Sequence, residues 1–580
     1  MHRHGAHLLD ATSARFALWA PDARSVSLEL EQQPPIELLP ADNGWYTAVA
    51  ACQAGDRYHY RIDGELQVAD PASRYQPEGV QGPSQVVDTQ AYAWQHAWQG
   101  RPWHEAVIQE LHVGVLEGYP GVAQHLPRLA ELGISAIELM PLGQFPGERN
   151  WGYDGVLPYA PQHSYGSPEQ LCALVDKAHS HGLMVLVDVV YNHFGPDGNY
   201  LHQYASPFFR EDRQTPWGAA IDFRRAEVRE FFIQNALMWL CEYRCDGLRL
   251  DAVHAIDQPD FLVELAQRVR AAVEPGRQVW LVLENEHNQA SLLDQGFDAQ
   301  WNDDGHNALH VLLTGETEGY YADYQEQPID KLARCLSEGF VFQGQANRHG
   351  TPRGEPSGHL APSSFVLFLQ NHDQIGNRAL GERLTRLCPP PALRAATGLL
   401  LLSPMIPLLF MGDDDGSCRP FLFFTDFHDE LADAVREGRR GEFAHFTAFA
   451  DPEQRERIPD PNAEQTFQAS RPHRQEVIAG WHGLYQQLLE LRRRHVIPHL
   501  PGSRALGADV LGDKALTARW RLGDGNTLRI DLNLAATPQP VELPAAERRL
   551  FDSSDTTHPD TALSAYSCVV SLLVPGQERP

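Results

Sequence analysis

The chain has 580 residues, too many for one ordinary hydrophobic core, so two or three domains are expected. Hydrophobic residues make up 43% of the chain and charged residues 21%, which is typical of a folded globular protein. The formal net charge of −29 argues against a nucleic-acid or anionic-membrane partner, because neither polyanionic surface would attract the chain. A neutral substrate fits this charge.

Membrane and metal signals are weak. No run of about 18 apolar residues occurs, so no transmembrane helix is expected. The first residues lead into no apolar segment of a signal peptide, and we expect a cytoplasmic protein. Only two of the eight cysteines, Cys241 and Cys245, lie close together, at helical spacing and without a second pair. Reduced thiols are therefore expected, with no zinc site.

The N-terminal segment is typical of short strands and turns. Residues 26–30 and 58–62 alternate with period two, and the Asp63-Gly64 turn follows the second run at once. This pattern indicates a small β-sandwich. Three tryptophans come next, and packing between domains is favoured over stacking on a sugar for most of them: Trp94, Trp98 and Trp103.

From about residue 105, apolar strands alternate with amphipathic helices. One helix is clear from its ends, because Ser167 caps it, Pro168 takes the first turn and Gly182 stops it. Near-continuous apolar strands between helices indicate a parallel sheet that is covered on both faces. Eight such strands are predicted, at residues 107–113, 136–140, 184–190, 247–250, 279–283, 297–301, 365–369 and 406–411. This number favours a closed (β/α)8 barrel, the TIM barrel, over an open doubly wound sheet.

A long loop and a second strand-rich region complete the chain. The loop at residues 192–222 is rich in proline, glycine and aromatic residues, and loops of this length are usually functional. After about residue 496 the helices stop, and three strands are predicted at residues 516–520, 528–532 and 568–573. We therefore predict three domains: an N-terminal β-sandwich (1–95), a catalytic barrel (96–495) and a C-terminal β-sandwich (496–580).

Three carboxylates follow apolar strands. Asp251 closes the fourth strand, and Arg249 lies two residues earlier on the same side. Glu284 ends the fifth strand, where burial and the adjacent charge of Glu286 would raise its pKa, and Asp373 follows the seventh strand. Barrel enzymes carry their sites at these strand ends, and a retaining glycosidase needs one nucleophile and one acid/base there. A lone aspartate after a strand is more often a helix cap.

Four ordered segments carry a family resemblance: residues 188–193 (DVVYNH), 247–254 (GLRLDAVH), Glu284, and 371–374 (NHDQ). Together they resemble the four sequence regions of the α-amylase superfamily, glycoside hydrolase family 13. The resemblance implies that Asp251 is the nucleophile, Glu284 the general acid/base and Asp373 the transition-state stabiliser. Three such carboxylates inside four ordered motifs outweigh the capping interpretation.

The same resemblance implies a set of substrate-binding residues. His193 and His372 would bind sugar hydroxyls, Tyr153 would stack on the same sugar, and Asp188 would support Arg249 or His193. Asn192 is a calcium ligand in many members of the superfamily, but no metal or other cofactor is expected here. The complete expected substrate-binding set is Trp151, Tyr153, His193, Arg249, His254, His372 and Gln374.

The segment at residues 421–443 resembles one subgroup, the maltooligosyltrehalose trehalohydrolases. This match implies hydrolysis of the α-1,4 bond beside the terminal trehalose of maltooligosyltrehalose. A branching enzyme or an α-amylase-type hydrolase would carry the same three carboxylates, so these do not discriminate. A non-catalytic glucan-binding protein would be favoured by a missing carboxylate, and none is missing.

One segment departs from the superfamily pattern. Residues 413–415 are three aspartates, where the superfamily usually has two glutamates and an aromatic residue. One interpretation is that the shorter acids alter a sugar contact and, together with Gln374, recognise trehalose. The other is that the segment is a solvated loop.

Overall fold

A computed structural model describes residues 4–215, 218–473, 476–545, 548–554 and 561–574. Its centre is a closed barrel of eight parallel strands, which confirms the predicted TIM barrel. In order around the barrel, these strands are Ile108–Leu111, Ala136–Leu139, Met184–Val189, Gly247–Leu250, Trp280–Leu283, Ala299–Trp301, Phe365–Leu367 and Ile406–Phe410. Each lies within its predicted range, since the apolar runs that predict strands are the ones buried on both faces.

Helices follow the barrel strands. The helix Pro168–Ser180 has the predicted start, because the Ser167 hydroxyl accepts a hydrogen bond from the Gln170 amide and the Gln170 side chain bonds back. The other helices are Gly118–Leu132, Leu201–Tyr204, Ala226–Leu237, Pro259–Ala272, Ala290–Leu293, Asp303–Thr314, Pro328–Glu338, His372–Gly376, Leu384–Leu387, Pro390–Leu402, Asp429–Glu442, Pro452–Arg455, Glu464–Ala469 and Trp481–His495.

Antiparallel sheets flank the barrel in sequence. The N-terminal region has one sheet of Gly5–Asp10, Ser13–Trp19, Leu39–Ala41 and Trp45–Ala51, and another of Val26–Leu30, Ile36–Glu37, Arg57–Ile62, Leu66–Val68 and Ser84–Gln85. The C-terminal region has a sheet of Arg504–Gly512, Ala515–Arg521, Thr527–Asn533, Arg549–Asp552 and Ser567–Leu573, with the short pair Gln539–Pro540 and Ala562–Leu563. The three predicted C-terminal strands lie inside this sheet, and the exact domain limits stay a prediction.

Two short ribbons interrupt the barrel. Gly143–Gln144 pairs with Leu157–Pro161 after the second barrel strand. Phe209–Thr215 pairs with Gly218–Ile221 inside the long loop that follows the third barrel strand. Both ribbons therefore belong to the loops at the carboxyl ends of the strands, where barrel enzymes build their sites.

The tryptophans that precede the barrel contact residues of the barrel region, and packing between domains stays a prediction. The Trp98 indole donates to the Asp246 carboxylate at 2.9 Å, and the Trp103 indole donates to the Ser363 carbonyl at 2.7 Å. Both rings pack against the inner core of the barrel. Trp94 lies under the guanidinium of Arg244, 4.8 Å from its ring centroid.

The barrel interior changes from apolar to charged along its axis. Its lower part is a buried apolar cluster that includes Met184, Leu186, Val282 and Leu408. The next inward positions of the first four strands carry four buried charged residues: Glu110, Glu138, Asp188 and Arg249. Since strand residues alternate between faces, these side chains are forced into the barrel above the apolar layer.

The described part of the chain has no helix long and apolar enough to cross a bilayer. All eight cysteines are unpaired, and six of them are buried.

Candidate active site

The three predicted carboxylates lie at the same end of the barrel. Asp251 and Glu284 directly follow the fourth and fifth strands, which are neighbours. Asp373 lies in the short helix His372–Gly376, just beyond the seventh strand. The structure therefore brings together residues that are up to 122 positions apart in the sequence.

Arg249 connects the charged groups. Its Nη1 lies 2.7 Å from Oδ1 of Asp251 and 2.7 Å from Oδ2 of Asp188. Its Nη2 lies 3.6 Å from Oε2 of Glu284. The guanidinium is fully buried and rests 4.1 Å from the ring centroid of Trp301. One cation thus fixes Asp251, faces Glu284 and is held by an aromatic face.

Asn192 holds the other oxygen of Asp251. Its amide nitrogen donates to Oδ2 of Asp251 at 3.0 Å and to the Asp251 carbonyl at 2.9 Å. Its amide oxygen faces Nδ1 of His193, and Nε2 of His193 lies 3.0 Å from the Tyr153 carbonyl. The polar atoms of Asn192 therefore have partners within the protein. Both ring nitrogens of His193 therefore have protein partners, and its predicted contact with a sugar hydroxyl stays a prediction.

The backbone after Asp251 reaches the Glu284 carboxyl group. Ala252 adopts the left-handed conformation, with φ 41° and ψ 46°, which is unfavourable for a residue with a Cβ. Its amide donates to Oε2 of Glu284 at 2.5 Å. The turn that directly follows Asp251 is therefore linked to the Glu284 carboxyl group by one hydrogen bond from the Ala252 amide.

The pKa of Glu284 is raised, as predicted. Burial is the main cause, the charges of Asp251 and Asp373 add to it, and Arg249 opposes it. The predicted contribution of Glu286 was wrong, because that side chain is 64% exposed and points to His254. The direction of this shift favours the protonated form of Glu284, as the role of a general acid requires.

Asp373 is the most accessible of the three carboxylates, with 41% of its side chain exposed. Its Oδ1 accepts from Nδ2 of Asn377 at 3.1 Å and lies 3.4 Å from Nε2 of His372. His372 is buried, and its Nδ1 faces Glu110. Burial alone would lower the pKa of His372, but the charges of Glu110 and Asp373 raise it to about 9. The ring is therefore a cation that can donate toward the cleft.

Tyr153 packs against one face of the His372 ring. Its phenol ring stacks on His372 with centroids 5.0 Å apart and 21° between the planes. Its hydroxyl donates to Oδ2 of Asp188 at 2.6 Å. Burial raises the pKa of Asp188 to about 7. Asp188 thus contacts both Arg249, the first of its two predicted partners, and Tyr153.

Trp151 lies behind these residues rather than at an open surface. It is buried, its indole donates to the Leu422 carbonyl at 2.9 Å, and its ring stacks on Phe421 at 5.5 Å. A Cβ at Gly376 would lie 2.0 Å from the Trp151 ring. The tryptophan therefore clamps the short helix that carries Asp373 against the segment that follows the eighth strand.

Gln374 and His254 make local contacts. The side-chain oxygen Oε1 of Gln374 accepts a hydrogen bond from the backbone amide of Asn371 at 3.2 Å, as the second half of a capping box. Nδ1 of His254 accepts from the Glu286 amide at 3.4 Å, and its Nε2 lies 3.9 Å from the Glu286 carboxylate. Their role in substrate binding stays a prediction.

Sequence reasoning missed two buried acids of this site, Glu110 and Glu138. Both are fully buried. Neither oxygen of Glu138 has a hydrogen-bond partner among the described residues, and burial raises its pKa well above the usual value. The signal was present in the sequence, since each is a lone acid inside an otherwise apolar barrel strand.

Asp413 belongs to the protein interior. Its Oδ1 accepts from Nε2 of Gln370 at 2.6 Å and faces Arg383 at 3.3 Å. Burial raises its pKa to about 7. The solvated-loop interpretation is therefore wrong for this residue.

Asp414 is also buried, and Asp415 is partly exposed. Oδ1 of Asp414 accepts from Nε2 of Gln109 at 2.9 Å, and its Oδ2 pairs with Arg128 at 2.6 Å. Asp415 pairs with the same arginine at 3.2 Å. These contacts tie the end of the eighth strand to the first strand and its helix, which is a structural role.

Comparisons with known proteins agree with this geometry. The family model described as "Alpha amylase, catalytic domain" matches residues 111–217, and the one described as "Domain of unknown function (DUF3459)" matches residues 503–570. A crystal structure from Salmonella typhimurium that was assigned to the α-amylases is 41% identical, with a TM-score of 0.92 over 98% of this chain and 99% of that chain.

Two curated relatives carry the same name, malto-oligosyltrehalose trehalohydrolase. The protein from Deinococcus radiodurans is 41% identical, covering 90% of both chains. The protein from Saccharolobus solfataricus is 38% identical over 84% of this chain and 86% of its own length. These likenesses set aside the alternative of a non-catalytic glucan-binding protein. The chain therefore belongs to the malto-oligosyltrehalose trehalohydrolase family, a group of glycoside hydrolases with the α-amylase fold.

Proposed function

We propose that this glycoside hydrolase cleaves the α-1,4 bond next to the terminal trehalose of maltooligosyltrehalose and releases trehalose. The relatives' shared name supports the substrate, since they match most of this chain at 38–41% identity. The observation that carries the chemistry is the shared contact of Asp251 and Glu284 with Arg249, because it brings two carboxyl groups to one cation at the same end of the barrel, and a retaining glycosidase needs two such groups close together.

In the first step, Asp251 attacks the anomeric carbon. A bond forms between a carboxylate oxygen and C1, while the bond from C1 to the bridging oxygen breaks. Arg249 and Asn192 hold the two oxygens of Asp251, which orients the attacking lone pair and removes its freedom to rotate.

The leaving oxygen takes its proton from Glu284. Oε2 of this carboxyl group accepts the Ala252 amide, so we assign the transferable proton to Oε1. After trehalose leaves, the ionised Glu284 removes a proton from water, the water oxygen attacks C1, and Asp251 departs as a carboxylate. Two displacements retain the anomeric configuration.

Asp373 and the cationic His372 complete the proposed site. Positive charge develops on the sugar ring in the transition state, and the exposed carboxylate of Asp373 stabilises it. His372, whose pKa is about 9, donates a hydrogen bond from Nε2 to a sugar hydroxyl. His193 also binds a sugar hydroxyl. Tyr153 supports the apolar face of the same sugar. Trp151, His254 and Gln374 remain candidate substrate-binding residues. Each of them contacts neighbouring residues and so helps to position the site.

The test is product analysis of maltotriosyltrehalose against maltopentaose, two substrates of equal length. We expect trehalose to be released from the first substrate with a kcat/KM at least tenfold above that of any cleavage of the second (about 1.4 kcal/mol in transition-state binding). A ratio near one would favour a general α-amylase, and new α-1,6 linkages would favour a branching enzyme.

We place this activity in the cytoplasm as part of the proposal. The support is the set of eight unpaired cysteines, which is typical of proteins in a reducing compartment.

A further inference from the structure

The segment at residues 421–443 carries the subgroup resemblance, but it contributes none of the three predicted carboxylates. It contains the helix Asp429–Glu442, and Arg439 is buried in that helix, with 7% of its side chain exposed. A cation in a buried position is costly unless several protein groups bind it. The contacts of Arg439 therefore indicate what this helix does.

Arg439 binds the backbone at the end of the short helix that carries Asp373. Its Nη2 donates to the Gly376 carbonyl at 2.7 Å and to the Arg378 carbonyl at 3.1 Å. Gly376 is the last residue of the short helix. The two carbonyls belong to the residues on either side of Asn377, so one guanidinium group fixes the peptide before and after this asparagine.

Asn377 in turn holds Asp373. Its side-chain Nδ2 donates to Oδ1 of Asp373 at 3.1 Å, and its backbone amide donates to the Asp373 carbonyl at 2.8 Å. The Asp373 side chain is 41% exposed, and an exposed carboxylate rotates readily unless hydrogen bonds hold it. The orientation of this carboxylate consequently depends on where Asn377 lies.

The guanidinium of Arg439 is itself fixed by its own segment. It lies against the rings of Phe423 and Phe443, 5.3 Å and 4.7 Å from their centroids, and its Nη1 donates to Glu442 at 3.0 Å. The Phe423 ring meets Trp151 edge to face, with centroids 5.2 Å apart. Two nitrogens of one planar fork thus reach three acceptors, a geometry that arginine provides and lysine does not.

We propose that Arg439 is a positioning residue, which acts through Asn377 and sets the orientation of the Asp373 carboxylate for transition-state stabilisation. The guanidinium fixes the two carbonyls, the backbone between them fixes Asn377, and Asn377 fixes the carboxylate oxygen. A carboxylate that is oriented in advance needs no reorganisation when positive charge develops on the sugar. This inference rests on the proposed role of Asp373 and deepens it, since it gives the segment at residues 421–443 a part in catalysis.

The experiment begins with steady-state kinetics of Arg439→Met on maltotriosyltrehalose. Methionine keeps the apolar contact with the two phenylalanine rings and removes the donors. We expect kcat to fall about thirtyfold, because a small misplacement of a catalytic group is costly. KM should stay within about twofold, since the charge that Asp373 stabilises develops only in the transition state. Arg439→Lys keeps the charge but not the fork, and its kcat should fall about fivefold.

A double-mutant cycle with Asn377→Ala separates this role from a loss of stability. Asn377→Ala breaks the bond to Asp373 directly and should lower kcat by about the same thirtyfold. If Arg439 acts through Asn377, the double variant is at most about twofold slower than the slower single variant. Independent effects would instead multiply to roughly nine-hundredfold, and that result would overturn the proposal.

Arg436→Met is the matched control, because Arg436 lies one turn earlier in the same helix and pairs at 2.7 Å with Asp433, whose side chain is 68% exposed. Its kcat should stay within about twofold of the wild type, as expected for a surface ion pair. Circular dichroism checks that each variant is folded. If Arg439→Met does not fold, Arg439→Lys replaces it in the cycle, with the same expectation. Wild-type kcat in a folded Arg439→Met or Arg439→Lys would also overturn the proposal.

Asp373→Asn distinguishes failure of this inference from failure of the proposed function. Its turnover should fall about a thousandfold. If Asp373→Asn keeps wild-type turnover, the proposed role of Asp373 fails, and the role of Arg439 fails with it. If Asp373→Asn loses turnover while the cycle between Arg439 and Asn377 is additive, only the role of Arg439 fails.

Discussion

Nη1 of Arg249 lies 2.7 Å from Oδ1 of Asp251, and both side chains come from one short stretch of the fourth barrel strand. The two residues are two positions apart, which is one period of a β-strand, so both side chains lie on the same face and the cation lies next to the carboxylate. Removal of Arg249 would therefore leave the buried charge of Asp251 without its cation, whereas removal of Asp251 leaves Arg249 paired with Asp188.

The first prediction concerns Asp251→Ala. We expect a folded protein whose turnover falls about a thousandfold or more, because no other group can form the covalent intermediate. Steady-state kinetics and circular dichroism measure the two properties. The control is Asp330→Ala, a solvent-exposed carboxylate. Retention of a tenth of wild-type turnover would exclude Asp251 as nucleophile.

The second prediction concerns Glu284→Gln. Natural glucans need protonation of the leaving oxygen, so their turnover should be nearly abolished, whereas aryl glycosides with acidic leaving groups should still form the glycosyl-enzyme. Burial raises the pKa of Glu284 and so favours its protonated form, and wild-type kcat should fall as the pH rises through that pKa. This alkaline limb should vanish in the variant. Equal losses on both substrate classes would argue for a structural role.

The third prediction concerns the Glu110–His372 pair. The pKa of His372 rises from 6.5 to about 9, so its contribution to stability is complete below pH 6.5 and is lost as the pH rises through 9. The difference corresponds to roughly 3 kcal/mol. In Glu110→Gln, burial would lower the pKa of His372, and the melting temperature should change much less between pH 6.5 and pH 9. Identical pH profiles for both proteins would contradict this assignment.

The fourth prediction concerns Asp414→Ala. The change leaves the Gln109 amide without its partner and opens a small cavity, so we expect a loss of about 2 kcal/mol of stability. The preference for trehalose-terminated substrates should stay within twofold of the wild type. Asp415→Ala is the control, because that side chain is 42% exposed and its pairing with Arg128 should contribute little. A changed substrate preference would return this segment to the recognition site.

The eight barrel strands were predictable because each is a short, almost wholly apolar run, and the barrel buries both of its faces. Asp251 and Glu284 were predictable for a related reason, since a carboxylate that closes such a run must lie at the end of the barrel. These inferences need only local sequence and the geometry of a strand.

Other parts of the site depend on contacts that no local pattern encodes. Glu110 meets His372 across 262 residues, and this pairing sets the charge of the histidine. Trp151 is of a residue type that often stacks on sugars, but in the fold it packs against Phe421 and Leu422.

The close approach of Trp151 to Gly376 has a consequence for variation of this protein. With a Cβ only 2.0 Å from the indole ring, even alanine at position 376 would push the helix that carries Asp373 or expel the tryptophan from its place. A saturation library at position 376 should therefore return glycine alone among active clones. The reach of Asp373 into the cleft is thus set, three residues away, by the absence of a single methyl group.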